Sequence, residues 1–338
     1  MMKKEHDKQP IDFVIIWVDG SDPAWRAQKE RYVSPCAGGD DSEVRYRDWE
    51  NLQYWFRAVE KYTPWVRTIH FVTWGHLPVW LNRSHPKLHI VRHEDFISEE
   101  YLPTFNSHTI ELNLHRIEGL AEQFVYFNDD MFVNRPMKPE DFFIHGLPRD
   151  TFALDCICFG RDSAGAYNGN DLAVINNHFD KKRMMKKNFG KWFNLRYGIK
   201  CLYRTVVLIP WEWFPGFFYQ HLSSNFLKTT FSQVWEKEEE TLKKTCSCKI
   251  RSALNVNQWV MKYWQLASGN FYPGKKRIGR CYHLNNNDIS ELIQSIETGK
   301  DALICINDTA QTTDFEGKKR RIIEAFEKRL RDKSTFEK

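Results

Sequence analysis

The sequence predicts an α/β fold, with a Rossmann-like sheet in the first half and a mostly helical elaboration in the second. Two observations carry that expectation. Short apolar, β-branched runs alternate with stretches of helical periodicity through the first 150 residues. From about residue 151 the strand pattern fades and helical spacing dominates.

The first run, residues 11–18, reads as a buried strand that ends in the dense turn Asp19-Gly20-Ser21-Asp22-Pro23. Residues 33–41 form a loop around Pro35, Gly38 and Gly39. Asp48 reads as a helix N-cap, because Trp49, Leu52, Trp55, Phe56 and Val59 follow at helical spacing. Pro64 stops that helix, and residues 68–73 and 87–92 read as the next two strands. Ser107 reads as the cap of a further helix that buries Ile110, Leu114 and Ile117. Residues 124–127 form the fourth strand and run straight into Asn128-Asp129-Asp130. Ligands of such sheets collect beyond the carboxyl ends of the strands, where both acidic turns fall.

In the second half, residues 180–194, 224–244 and 255–267 have helical character, and 303–306 is a short strand ending in Asn307-Asp308. The last segment lines Ile322, Ile323, Phe326 and Leu330 along one stripe, with Lys and Arg opposite. The expected organisation is a polar tail (1–10), an α/β core (11–150), a helical elaboration (151–300), a returning core strand (301–310) and a basic amphipathic C-terminal helix (311–338).

Composition narrows the class. With 42% hydrophobic and 28% charged residues, the chain of 338 residues is globular, not disordered. Net charge is only +5, and no nucleic-acid motif is present, which argues against nucleic acid as a partner. The charge is uneven: residues 181–204 hold nine Lys or Arg and no acid. Residues 318–338 hold nine basic and four acidic residues. Such clusters attract anions or an anionic membrane surface, unless they are simply solvated faces. Eight Cys lack zinc-finger spacing, and no signal peptide precedes Ile11, so a cytoplasmic protein with reduced thiols is expected. The longest apolar stretch, 206–219, is broken by Pro210, Glu212 and Pro215 and falls short of a membrane span.

Four groups of residues are candidates for chemistry. Asp129 and Asp130 at a strand end suit a hard divalent cation such as Mg²⁺ or Mn²⁺, the alternative being an ordinary acidic turn. The Asp19-Gly20-Ser21-Asp22 turn offers amides and carboxylates for a base, ribose or phosphates, although it is not a Gly-rich fingerprint. His108, Glu111 and His115 share one helical face by their i, i+3, i+7 spacing, as a plain solvated stripe also would. His221 follows an aromatic loop and, with Arg251, suits proton transfer and phosphate binding; a packed histidine is the bland alternative.

These residues lie in segments that resemble the Stealth family, which includes bacterial capsule phosphotransferases and the lysosomal-targeting N-acetylglucosamine-1-phosphotransferase of animals. Four blocks match in order. They are IDFVIIWVDGSDP (11–23), RYRDWENLQYWFRAVEKYTPWVRTIHFVT from Arg45 through LPTFNSHTIELNLHRIEGLAEQFVYFNDDMFVNRP, a looser block from His221 to about Gly269, and ALICIND (302–308). The resemblance implies a GT-A-like, nucleotide-sugar-binding core and phosphodiester-forming chemistry. The expected donor is a UDP-sugar, with UDP-N-acetylglucosamine first, and the acceptor a glycan hydroxyl. It implies catalytic roles for His221, Arg251, Glu111 and Asp129, and metal ligation by Asp129, Asp130 and Asp308. It implies donor contacts from Trp17, Asp19, Gly20, Ser21, Asp22, Arg45, Asn106, His115, Arg116 and Asn128. Two departures stand out: Asn255 and Asn257 occupy positions where relatives carry an acid after the arginine, and Gln220 and Leu222 flank His221 where a small residue and a proline are common. The product would belong to capsular or cell-surface polysaccharide, on an acceptor that a lipid could carry at the inner leaflet; an oligomer is compatible with all of this. A glycosyltransferase releasing UDP, or a non-catalytic glycan- or membrane-binding module, are the competing readings.

Overall fold

A computed structural model describes residues 9–32, 46–158, 165–275, 278–285, 288–309 and 311–338. The chain opens with β1 (Ile11–Ile16), α1 (Pro23–Glu30), α2 (Leu52–Tyr62), β2 (Ile69–Thr73), β3 (Leu88–Arg92), α3 (Ser107–Asn113) and β4 (Gln123–Asn128). Short strands β5 (Met131–Val133), β6 (Phe143–Ile144) and β7 (Leu147–Asp150) follow. Next come α4 (Gly165–His178), α5 (Lys181–Lys187), α6 (Phe189–Trp192) and α7 (Ile199–Val207). Then follow β8 (Ser224–Leu227), α8 (Lys228–Lys237), α9 (Glu239–Ser247), α10 (Trp259–Ser268), β9 (Tyr272–Pro273) and β10 (Gly279–His283). The chain closes with α11 (Ser290–Thr298), β11 (Leu303–Asn307) and α12 (Phe315–Arg329).

The main sheet has the order β3-β2-β1-β4-β8. β1 pairs in parallel with β2 and β4, and β8 joins β4 antiparallel. The chain steps outward from β1 to β3, then returns to place β4 on the other side of β1. That reversal opens a crevice beyond the carboxyl ends of β1 and β4, where Ile16 lies opposite Asn128. A second sheet, β10-β11-β5, meets the first at this point, because β5 leaves β4 directly after the Asn128–Asp130 turn. A third, β6-β7-β9, is small.

Alternation along the central strands feeds two cores. Phe13, Ile15, Val125 and Phe127 pack with Trp55, Phe56 and Phe326 on the side of α2 and α12. Val14, Phe124 and Tyr126 pack with the helical elaboration, around Trp192, Phe231 and Tyr263. Asp12 interrupts the apolar run, yet it is fully buried and satisfied, accepting from the Ala121 amide at 2.8 Å and from Arg67.

Several local expectations are corrected. Asn51, not Asp48, occupies the N-cap position of α2; Asp48 instead receives the Glu50 amide at 2.7 Å in a turn ahead of the helix. The α3 cap is Asn106, one residue before Ser107. Residues 224–227 are a strand, because all four side chains are buried against β4 and its surroundings. The basic C-terminal helix, α12, docks on the core: Lys318 is buried and donates to the Leu284 carbonyl, and Arg329 donates to Asn134 and Ile296 carbonyls.

Candidate active site

The turn after β1 is built from its own side chains. Asp19 Oδ1 accepts from the Ser21 amide at 2.8 Å and from its hydroxyl at 2.6 Å. Asp22 caps α1 through the Ala24 and Trp25 amides, and these bonds hold its carboxyl below the usual range. His76 braces the turn: its Nε2 accepts from the Asp19 amide at 2.7 Å, and its Nδ1 lies 3.2 Å from Asp22. Gly20 is required by close approach, since a Cβ there would sit 2.2 Å from the Tyr46 carbonyl oxygen. Trp17 stacks on Phe71 with centroids 5.7 Å apart. Arg45 lies outside the described residues.

Across the crevice stands the acidic turn after β4. Asp129 is exposed, yet desolvation by the surrounding protein, with Asp130 beside it, pushes its pKa up to about 7. Asp48 adds to that field and is itself raised, by desolvation from nearby protein first and by the charges of Glu50 and Asp19 after it. Asp130 Oδ1 and Asp308 Oδ2 are buried without a hydrogen-bond partner. Arg47 Nη1 stands 3.6 Å from that Asp308 oxygen, an ion-pair distance only. The Ile306 amide donates to the Asp130 carbonyl at 2.8 Å, which draws the end of β11, and Asp308 beyond it, to the turn. Free carboxylate oxygens in an acidic recess are the donor set that a hard divalent cation takes.

On one side of this turn, Arg251 and Glu111 are joined. Arg251 Nη2 donates to Ser107 Oγ at 2.6 Å, and that hydroxyl donates to Glu111 Oε1 at 3.1 Å. Arg251 also bears on Asp129, lowering a pKa that desolvation raises. Glu111 is buried and raised by burial, with Arg251 opposing. Its Oε2 accepts the Gln258 amide at 3.3 Å, while Asp171 accepts the Asn257 amide at 2.9 Å. Two buried carboxylates thus satisfy the free amides where the chain enters α10. Tyr126 continues the line, donating to Asn128 Oδ1 at 2.5 Å.

His221 lies half-buried in a group with Cys281 and Cys305 whose ligand atoms are all within 4.8 Å of one another. Cys305 Sγ lies 3.3 Å from Asp130 Oδ2. His221 therefore approaches the acidic turn from β10 and β11, and Arg251 from α3.

Three expected contacts fall elsewhere. α3 ends at Asn113, so His115 leaves the Glu111 face and packs against Phe231. Burial lowers its pKa to about 3, and a ring that neutral is no proton shuttle near pH 7. Arg116 sits over Trp235 at 4.4 Å. Asn106 is fully buried, tying α3 to the Cys248 carbonyl and Asn255, out of reach of a ligand. Asn255 and Asn257 serve as scaffold in the same way. The functional neighbourhood also includes residues that sequence reasoning passed over: Asp48, His76, Ser107, Tyr126 and Asp171.

Residues 45–149 match Stealth protein conserved region 2, and residues 9–34 match conserved region 1. A capsular polysaccharide phosphotransferase WcwK of Streptococcus pneumoniae is 42% identical over 98% of both chains. The chain belongs to the Stealth family. The receptor polysaccharide phosphotransferase WefC of Streptococcus gordonii is 40% identical, over 97% of this chain and 99% of its own. The exopolysaccharide phosphotransferase cps2G of Lactiplantibacillus plantarum is 36% identical, over 97% and 96%. Among solved structures, the galactosyltransferase LgtC aligns over 93% of this chain and 95% of its own at 11% identity, with a TM-score of 0.41. With its Stealth relatives named for phosphotransfer, the chain is an enzyme of that transferase class. No helix among the described residues is long and apolar enough to cross a membrane.

Proposed function

We propose that this Stealth protein moves a sugar-1-phosphate from a UDP-sugar, UDP-N-acetylglucosamine being the first candidate, to a glycan hydroxyl, and releases UMP. The observation that supports this most is the placement of the Asp129-Asp130 turn at the switch point of the sheet. Arg251 stands near Asp129, and His221 is reached from Asp130 through Cys305. A carboxylate pair with a guanidinium and an imidazole in its neighbourhood suits transfer of a charged phosphoryl group.

In this reading the acceptor oxygen attacks the phosphorus bonded to the sugar. The P–O bond to UMP breaks, and the sugar C1–O bond stays intact. His221 takes the proton of the acceptor hydroxyl. Arg251 binds the non-bridging oxygens, held in position by Ser107 and Glu111. Asp129 and Asp130, with Asp308, would hold Mg²⁺ or Mn²⁺, which when bound would neutralise diphosphate charge. The self-braced 19–22 turn and Asn128 form the nucleotide side of the crevice. The acceptor is a growing surface glycan carried on lipid, with the enzyme resting at the membrane surface.

The test is the identity of the released nucleotide. Purified protein, UDP-N-acetylglucosamine, Mg²⁺ and an oligosaccharide panel should yield UMP that depends on both acceptor and metal. Release of UDP would mean the C1–O bond had broken, and the glycosyltransferase reading would replace this one.

A further inference from the structure

α7 is amphipathic with its apolar stripe turned outward. Cys201 and Thr205 face the core, while Ile199, Tyr203, Val206 and Val207 face solvent at i, i+4, i+7 and i+8. Ile199 is 85% exposed. The loop that follows adds Trp211 and Trp213, which are 55% and 58% exposed. Large apolar side chains grouped in this way mark a contact surface, unlike single exposed residues.

Charge identifies the partner. Residues 181–204 carry nine Lys or Arg and no acid. Lys182, Arg183, Lys186, Lys187 and Lys200 are exposed, and none has an ion pair among the described residues. Tryptophan and tyrosine beside unpaired lysines is the composition of a helix lying in the interface of an anionic bilayer. α12, the other basic helix, is poorly placed for this, since Lys318 and Arg329 are spent on core carbonyls.

We propose that α7 and the 211–213 loop form the face by which the protein lies on an anionic lipid surface. The loop runs on through Tyr219, which packs edge-on against Trp259, to His221. On the phosphotransfer reading above, this brings the proposed base close to the bilayer, where a lipid-carried acceptor sits.

The test is co-sedimentation with vesicles of phosphatidylcholine alone and of an equimolar mixture with phosphatidylglycerol, without donor or acceptor. The protein should sediment with the mixed vesicles and at least about tenfold less with the neutral ones. Trp211→Ser with Trp213→Ser, and separately Lys186→Glu with Lys187→Glu, should each weaken binding about tenfold or more. Arg320→Glu with Arg321→Glu should leave it unchanged. Equal sedimentation of the tryptophan pair and the parent would overturn the assignment. So would a dimer in light scattering that this pair dissolves, with no vesicle binding by the parent; the face would then join two copies. UMP release onto a soluble acceptor should be the same in the tryptophan pair, so failure of vesicle binding and failure of phosphotransfer remain separate results.

Discussion

Arg251 Nη2 and Ser107 Oγ lie 2.6 Å apart, and the hydroxyl between the guanidinium and Glu111 sets where that guanidinium points. Ser107→Ala removes the bridge and leaves both charges in place. Turnover should fall about tenfold, corresponding to one well-made hydrogen bond to a charged group. Arg251→Lys loses the fixed fork of donors and should fall further, about 10²-fold in kcat. Steady-state UMP release, with thermal unfolding to confirm an intact fold, reads both. If Ser107→Ala turned over like the parent, Arg251 would not depend on that bridge.

His221 and Asp130 meet through Cys305, which puts the imidazole beside the acidic turn without binding it there. Replacing His221 with Ala should cost about 10²-fold or more in turnover. A near-wild-type rate in this variant would strip His221 of the proton-transfer role and leave Asp129 to take it.

One buried arginine ties the C-terminal segment to α2. Arg57 Nε and Nη2 each reach a Glu337 oxygen at 2.8 Å, and Nη1 donates to the Leu330 carbonyl at 2.8 Å. The two side chains are only 9% and 4% exposed. Arg57→Leu would leave the buried Glu337 carboxylate with its Ser334 hydrogen bonds but no cation, and should lower stability by about 3 kcal/mol or more in urea unfolding. The double variant with Glu337→Leu should recover most of that loss, which a simple packing defect would not do.

Much of this architecture was legible because its signals are local. The four strands that the sequence predicts in the first half, β1 to β4, are short, largely apolar runs, and both acidic turns follow a strand within three residues. What escaped was set by distant pairing. Cys305 meets Asp130, 175 positions away, because β11 pairs with β5, and nothing near His221 announces that contact. Asp48 was misread because an acidic residue ahead of an amphipathic helix looks like a cap; only the fold turns it toward Asp129. His115 was misread because helical spacing was carried past Asn113, where the backbone tightens into a 3₁₀ turn. β8 is four residues running directly into α8, too short to break a helical pattern.

Asp129 supplies a prediction whose sign is fixed by its environment. Crowding, with Asp130 alongside, raises its pKa from the ordinary 3.8 to about 7. Between those values the folded chain holds a proton that the unfolded chain has released, so this group's contribution to stability falls as pH rises through the window. Above it, an ionised Asp129 faces Asp130 and Asp48 and opposes folding until a cation relieves the repulsion. Mg²⁺ should therefore raise Tm more at about pH 8 than at about pH 5.5, where protons compete for the carboxylate. Asp129→Asn should raise Tm at about pH 8 in the absence of metal, remove most of the Mg²⁺-dependent rise, and abolish UMP release. Differential scanning calorimetry across that pH range, with and without Mg²⁺, reads every part. An Asp129→Asn protein that melted like the parent at about pH 8 and kept the full Mg²⁺ shift would place the cation away from this turn.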